Sequence, residues 1–188
     1  AFVLSKASLP MSLFFFVNLL SRSCKSFLNV FNDRLMTEFW PPRGWRLGRD
    51  LTYTTKDITA DEIKTLKAVG VKIKRDTNKT ESIVVPSGFE TDLASVPRAA
   101  WALIAPWDVA RAAIVHDILY KTIRQYRWKM KTKEDKDLVA KAKVISDKVF
   151  LLAMNDAHPP VAQWKKYSAW KAVDLFGDGS IVPNKDNI

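Results

Sequence analysis

Asp147 is a carboxylate in the middle of a predicted helix face that is otherwise apolar. Val144 lies one turn before it, and Phe150 and Leu151 lie one turn after it. The opposite face of this segment is apolar too, so the sequence predicts a helix that is apolar nearly all round from 144 to 154 and buried on two sides. An unpaired buried carboxylate is too costly to remain ionised. Asp147 therefore needs a partner or a proton.

His116 and Asp117 present the same problem in the predicted helix before this one. The helical neighbours of His116 include Ala112 and Leu119, which are apolar. Adjacent positions of a helix point about 100° apart, so His116 and Asp117 flank one edge of it. Ionisable groups on two apolar faces are most economically satisfied by each other. We therefore expect His116 or Asp117 to meet Asp147.

The loop before these helices supplies a further carboxylate, Asp92, and a counter-charge, Arg98. A histidine with two or three carboxylates could hold one divalent metal, and its oxygen ligands would suit magnesium, manganese or zinc. The same groups could act without a metal as a general acid–base pair, in which a carboxylate orients the imidazole. The candidate catalytic or metal-binding residues are Asp92, His116, Asp117 and Asp147.

Two other interpretations of this cluster stay open. Ser95 could be the nucleophile of a triad with a histidine and an aspartate, although the chain has no G-x-S-x-G elbow to expose it. Alternatively, the cluster is a satisfied polar network that attaches the loop over 86–97 to the helices, because structural networks also perturb ionisable groups.

Three sequence blocks occur in order in this part of the chain: VPSGFETDLASVPR, AAIVHDILY and SDKVFLLAM. Together they resemble a small domain of unknown function found widely in bacteriophage and prophage genomes, over about residues 45 to 177. The resemblance implies a phage context and a shared polar site, and it implies no reaction. The positions that match its pattern are Thr91, Asp92, Ser95, Pro97, His116, Asp117, Tyr120 and Asp147. Structural members of the motif are expected at Thr91, Pro97, Arg98 and Tyr120.

A basic stretch from Lys121 to Lys133 contains no acidic residue and carries Tyr126 and Trp128 between its cations. Basic residues interleaved with aromatic ones can bind single-stranded nucleic acid through phosphate contacts and stacking. The same composition suits an exposed linker between two helices, and we expect a linker at about 123–133. The candidate nucleic-acid-binding residues are Lys121, Arg124, Arg127, Trp128 and Lys129.

Composition sets the limits for these interpretations. The chain has 188 residues, of which 47% are hydrophobic and 27% are charged. This length suits one domain with a substantial core and is short for two. The formal net charge is +10, since 30 lysines and arginines stand against 20 acidic residues. The single cysteine, Cys24, excludes a disulfide framework within the chain and a cysteine-based zinc finger.

The first 35 residues differ in composition from the rest and are interpreted as an apolar and basic extension. The extension is either an arm or a stretch upstream of a natural start at Met36. In the second case, we expect a chain that begins at Met36 to fold as stably as the full chain. Its apolar run from Leu13 is shorter than the ~20 residues that cross a bilayer, so no integral membrane span is predicted. No small-residue cleavage site follows the run, so secretion is not expected. The domain is predicted over 36–178, with a tail over 179–188.

The elements that must position these residues follow from periodicity and turn signals. Aromatic and β-branched residues predict a strand near 45–55. Thr59 and Glu62 have the spacing of a capping box at the start of a short helix. Alternating apolar residues predict a hairpin of two strands, at 71–75 and 82–86. A loop is expected from there to Pro97.

Helices dominate the second half of the chain. They are predicted at about 101–104, 108–122 and 134–155, followed by a last helix that ends at Gly177. The last helix carries Trp164, Tyr167 and Trp170, which we expect to pack on the core. The predicted fold class is therefore α+β: a small antiparallel hairpin or sheet followed by about four helices around one core.

These observations favour an uncharacterised phage or prophage accessory protein, located in the host cytoplasm or in the virion. Its expected partners are other phage virion or tail proteins. The first alternative is a hydrolase that acts on the cell wall or on a phosphoester through the Asp/His cluster. The second alternative is a nucleic-acid-binding accessory protein that uses the basic stretch.

Overall fold

The computed structural model describes residues 31, 34–41, 44–77, 79–91, 109–133, 135–157 and 160–188. Within these ranges the fold is α+β, as the sequence predicts. Its strands are β1 (Thr37–Trp40), β2 (Gly44–Leu47), β3 (Leu51–Thr54), β4 (Ile73–Arg75), β5 (Glu81–Val85) and β6 (Glu90–Thr91). Its helices are α1 (Ala60–Ala68), α2 (Ala110–Met130), α3 (Lys136–Asn155) and α4 (Gln163–Ser180).

The strands form two three-stranded antiparallel sheets, in the orders β1–β2–β6 and β3–β5–β4. The predicted hairpin is confirmed, because β4 pairs with β5 and Ile73 lies opposite Ile83. Ile83 and Val85 are buried and alternate with less buried positions, as the period of two in a half-buried strand requires. The single strand expected at 45–55 is divided into β2 and β3, because the chain bends between them at Gly48.

Strand β6 lies inside the segment that the sequence predicts as a loop. Glu90 and Thr91 pair with Arg46 and Trp45 of β2. Gly88 turns the chain into this pairing with a φ of +78°, a conformation that glycine adopts without steric cost. A strand of two residues leaves no periodicity in the sequence, so the loop prediction is wrong here. The pairing fixes the position of Thr91.

The capping box at the start of α1 is confirmed. The hydroxyl of Thr59 accepts a hydrogen bond of 3.2 Å from the backbone N–H of Glu62, whose carboxylate accepts one of 2.8 Å from the backbone N–H of Thr59. Glu62 also forms an ion pair of 2.8 Å with Lys148 of α3. The residue that closes the cap therefore also attaches α1 to the helical layer.

Helix α2 continues through most of the segment at 123–133 that the sequence analysis interprets as a linker. No glycine or proline occurs between Ile123 and Met130, so nothing in the backbone chemistry ends the helix there. Ile123 is fully buried, and Arg124 and Arg127 donate to backbone carbonyls at and beyond the end of α4. The linker prediction is therefore wrong, and a three-residue 3-10 turn follows the helix.

Helix α3 is not buried on every side that the sequence predicts. Val144 is 65% exposed, whereas Asp147 is only 3% exposed. Lys141, one turn before Val144, is exposed as well, and Lys148, one turn after it, is partly exposed. The prediction of burial is therefore correct for Asp147 and wrong for Val144.

The aromatic residues of α4 do not form its core face. Trp164 and Tyr167 are 54% and 60% exposed, so the prediction that they pack on the core is wrong, whereas Trp170 is partly buried against it. The buried positions of α4 are Lys166, Ala169, Val173 and Gly177. Small residues on this face let the helix backbone approach its neighbours closely.

Phe31 precedes the first strand and belongs to the packed core. Its ring is buried and lies 5.0 Å from the ring of Tyr53, centroid to centroid. The guanidinium of Arg111 in α2 lies 5.3 Å from the centroid of the Phe31 ring. At least this residue of the extension over 1–35 therefore contacts the domain.

A membrane span is not found in the described ranges, where no helix is both long and apolar enough to cross a bilayer. The apolar run that starts at Leu13 lies outside them.

Candidate functional site

Asp147 of α3 is the acceptor at the centre of a buried polar cluster. Its Oδ1 lies 3.0 Å from Nε2 of His116 and accepts a hydrogen bond of 2.7 Å from the hydroxyl of Tyr120, and both partners are on α2. Its Oδ2 lies 3.0 Å from Nζ of Lys143, one turn earlier in α3. The structure thus brings His116 and Asp147 together. We call His116, Tyr120, Lys143 and Asp147 the Asp147 cluster.

These contacts set the protonation states of the cluster. Burial alone would raise the pKa of Asp147, whereas hydrogen bonds from His116 and Tyr120 and the ammonium group of Lys143 outweigh burial and hold that pKa below its ordinary value. Burial lowers the pKa of His116 despite the adjacent carboxylate. Burial and the same carboxylate raise the pKa of Tyr120. At neutral pH, an ionised Asp147 therefore accepts hydrogen bonds from Nε2–H of a neutral imidazole and from the O–H of a neutral phenol.

Lys143 connects the cluster to α4. Its Nζ donates a hydrogen bond of 2.8 Å to the backbone carbonyl of Asp174 and lies 3.6 Å from the carboxylate of Asp178. Lys143 is not among the residues predicted from the sequence, where Arg98 is the expected counter-charge. Lys143 was detectable, because it stands four residues before Asp147 and therefore on the same helix face.

Gly177 of α4 is the second residue that the sequence analysis missed. A Cβ at this position would stand 2.2 Å from the hydroxyl oxygen of Tyr120 and 3.3 Å from Cε of Lys143. The prediction that Gly177 ends the last helix is wrong, because α4 continues to Ser180. The missing side chain lets α4 close directly over the cluster, which no local sequence pattern indicates.

A cleft of about 680 Å³ lies beside the cluster, between α2, α4, β6 and the C-terminal segment 181–188. Asp117 lines it and accepts a hydrogen bond from the hydroxyl of Thr91. Lys121 also lines it, with its ammonium group 5.5 Å from the centroid of the Phe89 ring. The other polar residues of the lining are Glu90, His116, Tyr120, Arg124, Ser180, Asp186 and Asn187. Asp147 lies behind this wall, against its members His116 and Tyr120.

The candidate catalytic residues do not form one group in the described part of the chain. Asp147 pairs with His116, whereas Asp117 is bonded to Thr91. No three His, Cys, Asp or Glu side chains of the described ranges are placed to hold a metal ion together. Outside these ranges lie Asp92, Ser95, Pro97 and Arg98. The metal site and the triad therefore stay predictions.

The candidate nucleic-acid-binding residues differ in their surroundings along α2. Arg124 and Arg127 donate hydrogen bonds to backbone carbonyls of Ser180 and the segment 181–188, and so tie that segment to the helix. Trp128 and Lys129, at the end of the helix, are exposed. Nucleic-acid binding also stays a prediction.

A comparison with known proteins finds a family match over the part of the chain that contains the Asp147 cluster. A family model described as a protein of unknown function, DUF1353, matches residues 68–173. The match includes His116, Tyr120, Lys143 and Asp147 and ends shortly before Gly177. No curated protein and no solved structure matches the chain significantly. Because the family model covers more than half of the sequence, the protein belongs to the DUF1353 family.

Proposed function

We propose that the protein is a phage or prophage accessory protein with a binding role, in which the Asp147 cluster stabilises the helices that form the cleft. One observation carries this proposal: the cluster is sealed. His116 is 2% exposed, Asp147 is 3% exposed and Lys143 is 6% exposed. A substrate in the cleft would not reach the carboxylate at the centre of the cluster, whereas a structural network needs no such access.

The contacts of the cluster suit a structural role. Asp147 of α3 binds two residues of α2, and Lys143 carries the connection on to the backbone of α4 at Asp174. Removing one partner of a buried ion pair leaves an uncompensated charge, which typically destabilises a fold by about 3–5 kcal/mol. The cluster therefore holds together the two helices that wall the cleft and the helix behind them.

The phage context of the proposal rests on the three sequence blocks around Asp92, His116 and Asp147, which resemble small phage domains. The expected partners are virion or tail proteins, and the expected location is the virion or the host cytoplasm. Mass spectrometry of particles purified from a lysogen that carries the gene should detect the chain. Its absence from both the particles and the induced host cells would overturn the phage role.

A binding role is distinguished from a hydrolytic one by measuring metal content and hydrolysis with the purified full chain. We expect no stoichiometric divalent metal, and no hydrolysis of bis(p-nitrophenyl) phosphate or of purified peptidoglycan. Near-stoichiometric zinc, manganese or magnesium that Asp147→Asn abolishes would overturn the proposal. Hydrolysis that Asp117→Asn abolishes while the variant remains folded would do the same.

One observation favours hydrolysis as a second candidate function. Nε2 of His116 faces Asp147, whereas Nδ1 is buried and has no hydrogen-bond partner among the described residues. In a neutral imidazole that donates through Nε2, Nδ1 is the basic nitrogen and could accept a proton as a general base. Asp117 and Thr91 lie in the same cleft wall. A cell-wall bond or a phosphoester would be the substrate, and the hydrolysis assays above decide between the two candidates.

A further inference from the structure

A second groove lies at the C-terminal end of α2, apart from the Asp147 cluster. It has a volume of about 400 Å³ and is lined by Arg127, Trp128, Lys131, Val182 and Pro183. We call it the Trp128 groove. It combines one indole ring, two cationic side chains and two apolar residues, and no carboxylate is among the described residues that line it.

Trp128 is the part of the groove that can recognise a flat ring. Its side chain is 39% exposed. A partly exposed indole offers a surface on which a nucleobase can stack, and every base has such a face. Val182 and Pro183 add apolar surface to the same lining. The groove is therefore suited to a planar, partly apolar group.

Lys131 supplies the positive charge in an unusual backbone conformation. Its φ is +50° and its ψ is −115°, although it is not a glycine. Such conformations cost free energy and occur often at binding sites. Glycine adopts a positive φ without this cost, so lysine is not the residue that this backbone conformation favours. Its side chain lines the groove beside Trp128.

Arg127 positions the part of the lining that the C-terminal segment contributes. Its Nη1 donates a hydrogen bond of 2.9 Å to the backbone carbonyl of Ile181, the residue before Val182 and Pro183. This bond holds the apolar residues of the C-terminal segment against α2. Arg127 is thus a positioning residue for the groove.

We propose that the Trp128 groove binds single-stranded nucleic acid, with one base stacked on Trp128 and a neighbouring phosphate held by Lys131. Stacking and phosphate contact are the two interactions that sequence-tolerant single-strand binding uses. A duplex hides the faces of its bases, so it cannot use the indole in this way. Lys129 and Lys133, exposed on either side of Lys131, and the net charge of +10 add attraction for a polyanion. The proposal does not depend on the role of the Asp147 cluster.

The test is fluorescence anisotropy of a fluorescein-labelled oligothymidylate of about a dozen nucleotides, a length within the usual range of single-strand sites. The full chain should bind it with an affinity that falls as salt rises. Trp128→Ala should weaken binding by about fivefold or more, because one stacked base contributes at least that much. Trp128→Phe should restore most of the affinity. Trp164→Ala, which removes an exposed indole from α4, is the matched control and should leave the affinity unchanged.

Lys131→Gly separates the ligand contact from the stability of the fold. It removes the charge and replaces a strained residue with the one that suits a positive φ, so the melting temperature should stay the same or rise. The affinity should fall, and the slope of log affinity against log salt should decrease by about 0.7, the value for one phosphate contact on a single strand. Lys141→Ala, which removes an exposed charge of α3, should change the affinity less.

Three outcomes would overturn the proposal. The first is equal affinity of Trp128→Ala and the unaltered chain for the oligonucleotide. The second is equally tight binding of a blunt duplex, which would indicate attraction to phosphate charge alone. The third is competition by poly-glutamate as effective as that by unlabelled oligothymidylate, which would assign the groove to an acidic protein segment.

Discussion

A Cβ at position 177 would stand 2.2 Å from the hydroxyl oxygen of Tyr120, the same hydroxyl that donates to Asp147. The backbone of α4 therefore packs directly on a member of the buried cluster. Through Lys143, the same helix is also bonded to the cluster at the carbonyl of Asp174. The position of α4, and with it one wall of the cleft, depends on these contacts.

Gly177→Ala should destabilise the protein by about 1–3 kcal/mol, the usual cost of forcing an extra methyl group into a close contact. Gly179→Ala is a matched control two residues on, because nothing lies within 4 Å of a Cβ there. It should stabilise the helix by about 0.5–1 kcal/mol, the ordinary gain of alanine over glycine. Urea unfolding of both variants measures the difference. Equal effects at the two positions would show that α4 does not close on Tyr120.

Asp147→Asn should lower the free energy of unfolding by about 3 kcal/mol, because it removes the buried counter-charge of Lys143 and leaves only the exposed carboxylate of Asp178, 3.6 Å away. Asp117→Asn is the conservative control and should cost about 1 kcal/mol, because it weakens one hydrogen bond at the cleft wall. In a double-mutant cycle, Asp147→Asn and His116→Ala should show a coupling of about 0.5–3 kcal/mol. Additive effects of the two substitutions would argue against a shared network.

Stability should fall in two stages as the pH is lowered. The pKa of His116 is lower in the folded protein than in the unfolded chain, so the unfolded state binds more protons once the pH drops below about 6.5, and stability decreases from there. The pKa of Asp147 is also lowered in the folded protein. Its contribution to stability is therefore present when the pH is above the ordinary pKa of an aspartate, and it is lost as the pH falls below that pKa. Thermal unfolding from pH 8 to pH 3 measures both stages.

His116→Gln isolates the first of these stages. The variant should lose the pH dependence between about pH 7 and pH 5, the window in which a histidine of ordinary pKa titrates, and keep the decrease at lower pH. If the unaltered protein were equally stable at pH 7 and pH 5, the imidazole would not be buried in its neutral form.

Phe31→Ala should cost about 3 kcal/mol, as removal of a buried phenylalanine from a core does. The sequence alone predicts no loss when residues 1–35 are removed, whereas the packing of Phe31 on Tyr53 predicts one. Phe39→Ala removes a phenylalanine of β1 that is 57% exposed and packs edge-on against Trp45, and it should cost less, about 1 kcal/mol. Similar melting temperatures of the two variants would favour the interpretation of the extension as dispensable.

Periodicity was enough to place Asp147 and His116 on buried helix faces and to predict that Asp147 meets His116 or Asp117; the structure shows that the partner is His116. It works there because an ionisable group on an apolar stripe needs a partner, whatever the tertiary arrangement. The partner Lys143 could also have been predicted, since it lies one turn before Asp147 on the same helix. The capping box at Thr59 and the hairpin around Ile83 are local patterns, and both are confirmed.

The features that sequence analysis missed depend on contacts between distant segments. Strand β6 exists because Thr91 pairs with Trp45, and Gly177 matters because of where Tyr120 lies. Trp164 is exposed because the opposite side of α4 carries small residues. That side faces the core, since small side chains let the helix backbone pack closer to it. Hydrophobicity alone selects the wrong face of that helix.

The segment 181–188 lies along both the cleft and the Trp128 groove. Val182 and Pro183 line the Trp128 groove, whereas Asp186 and Asn187 line the cleft. The two regions therefore share one short wall, which Arg124 and Arg127 hold against α2. A ligand that shifted this wall in one region would change the shape of the other. The two occupancies would then be thermodynamically linked, and each ligand would alter the affinity of the other by the same factor.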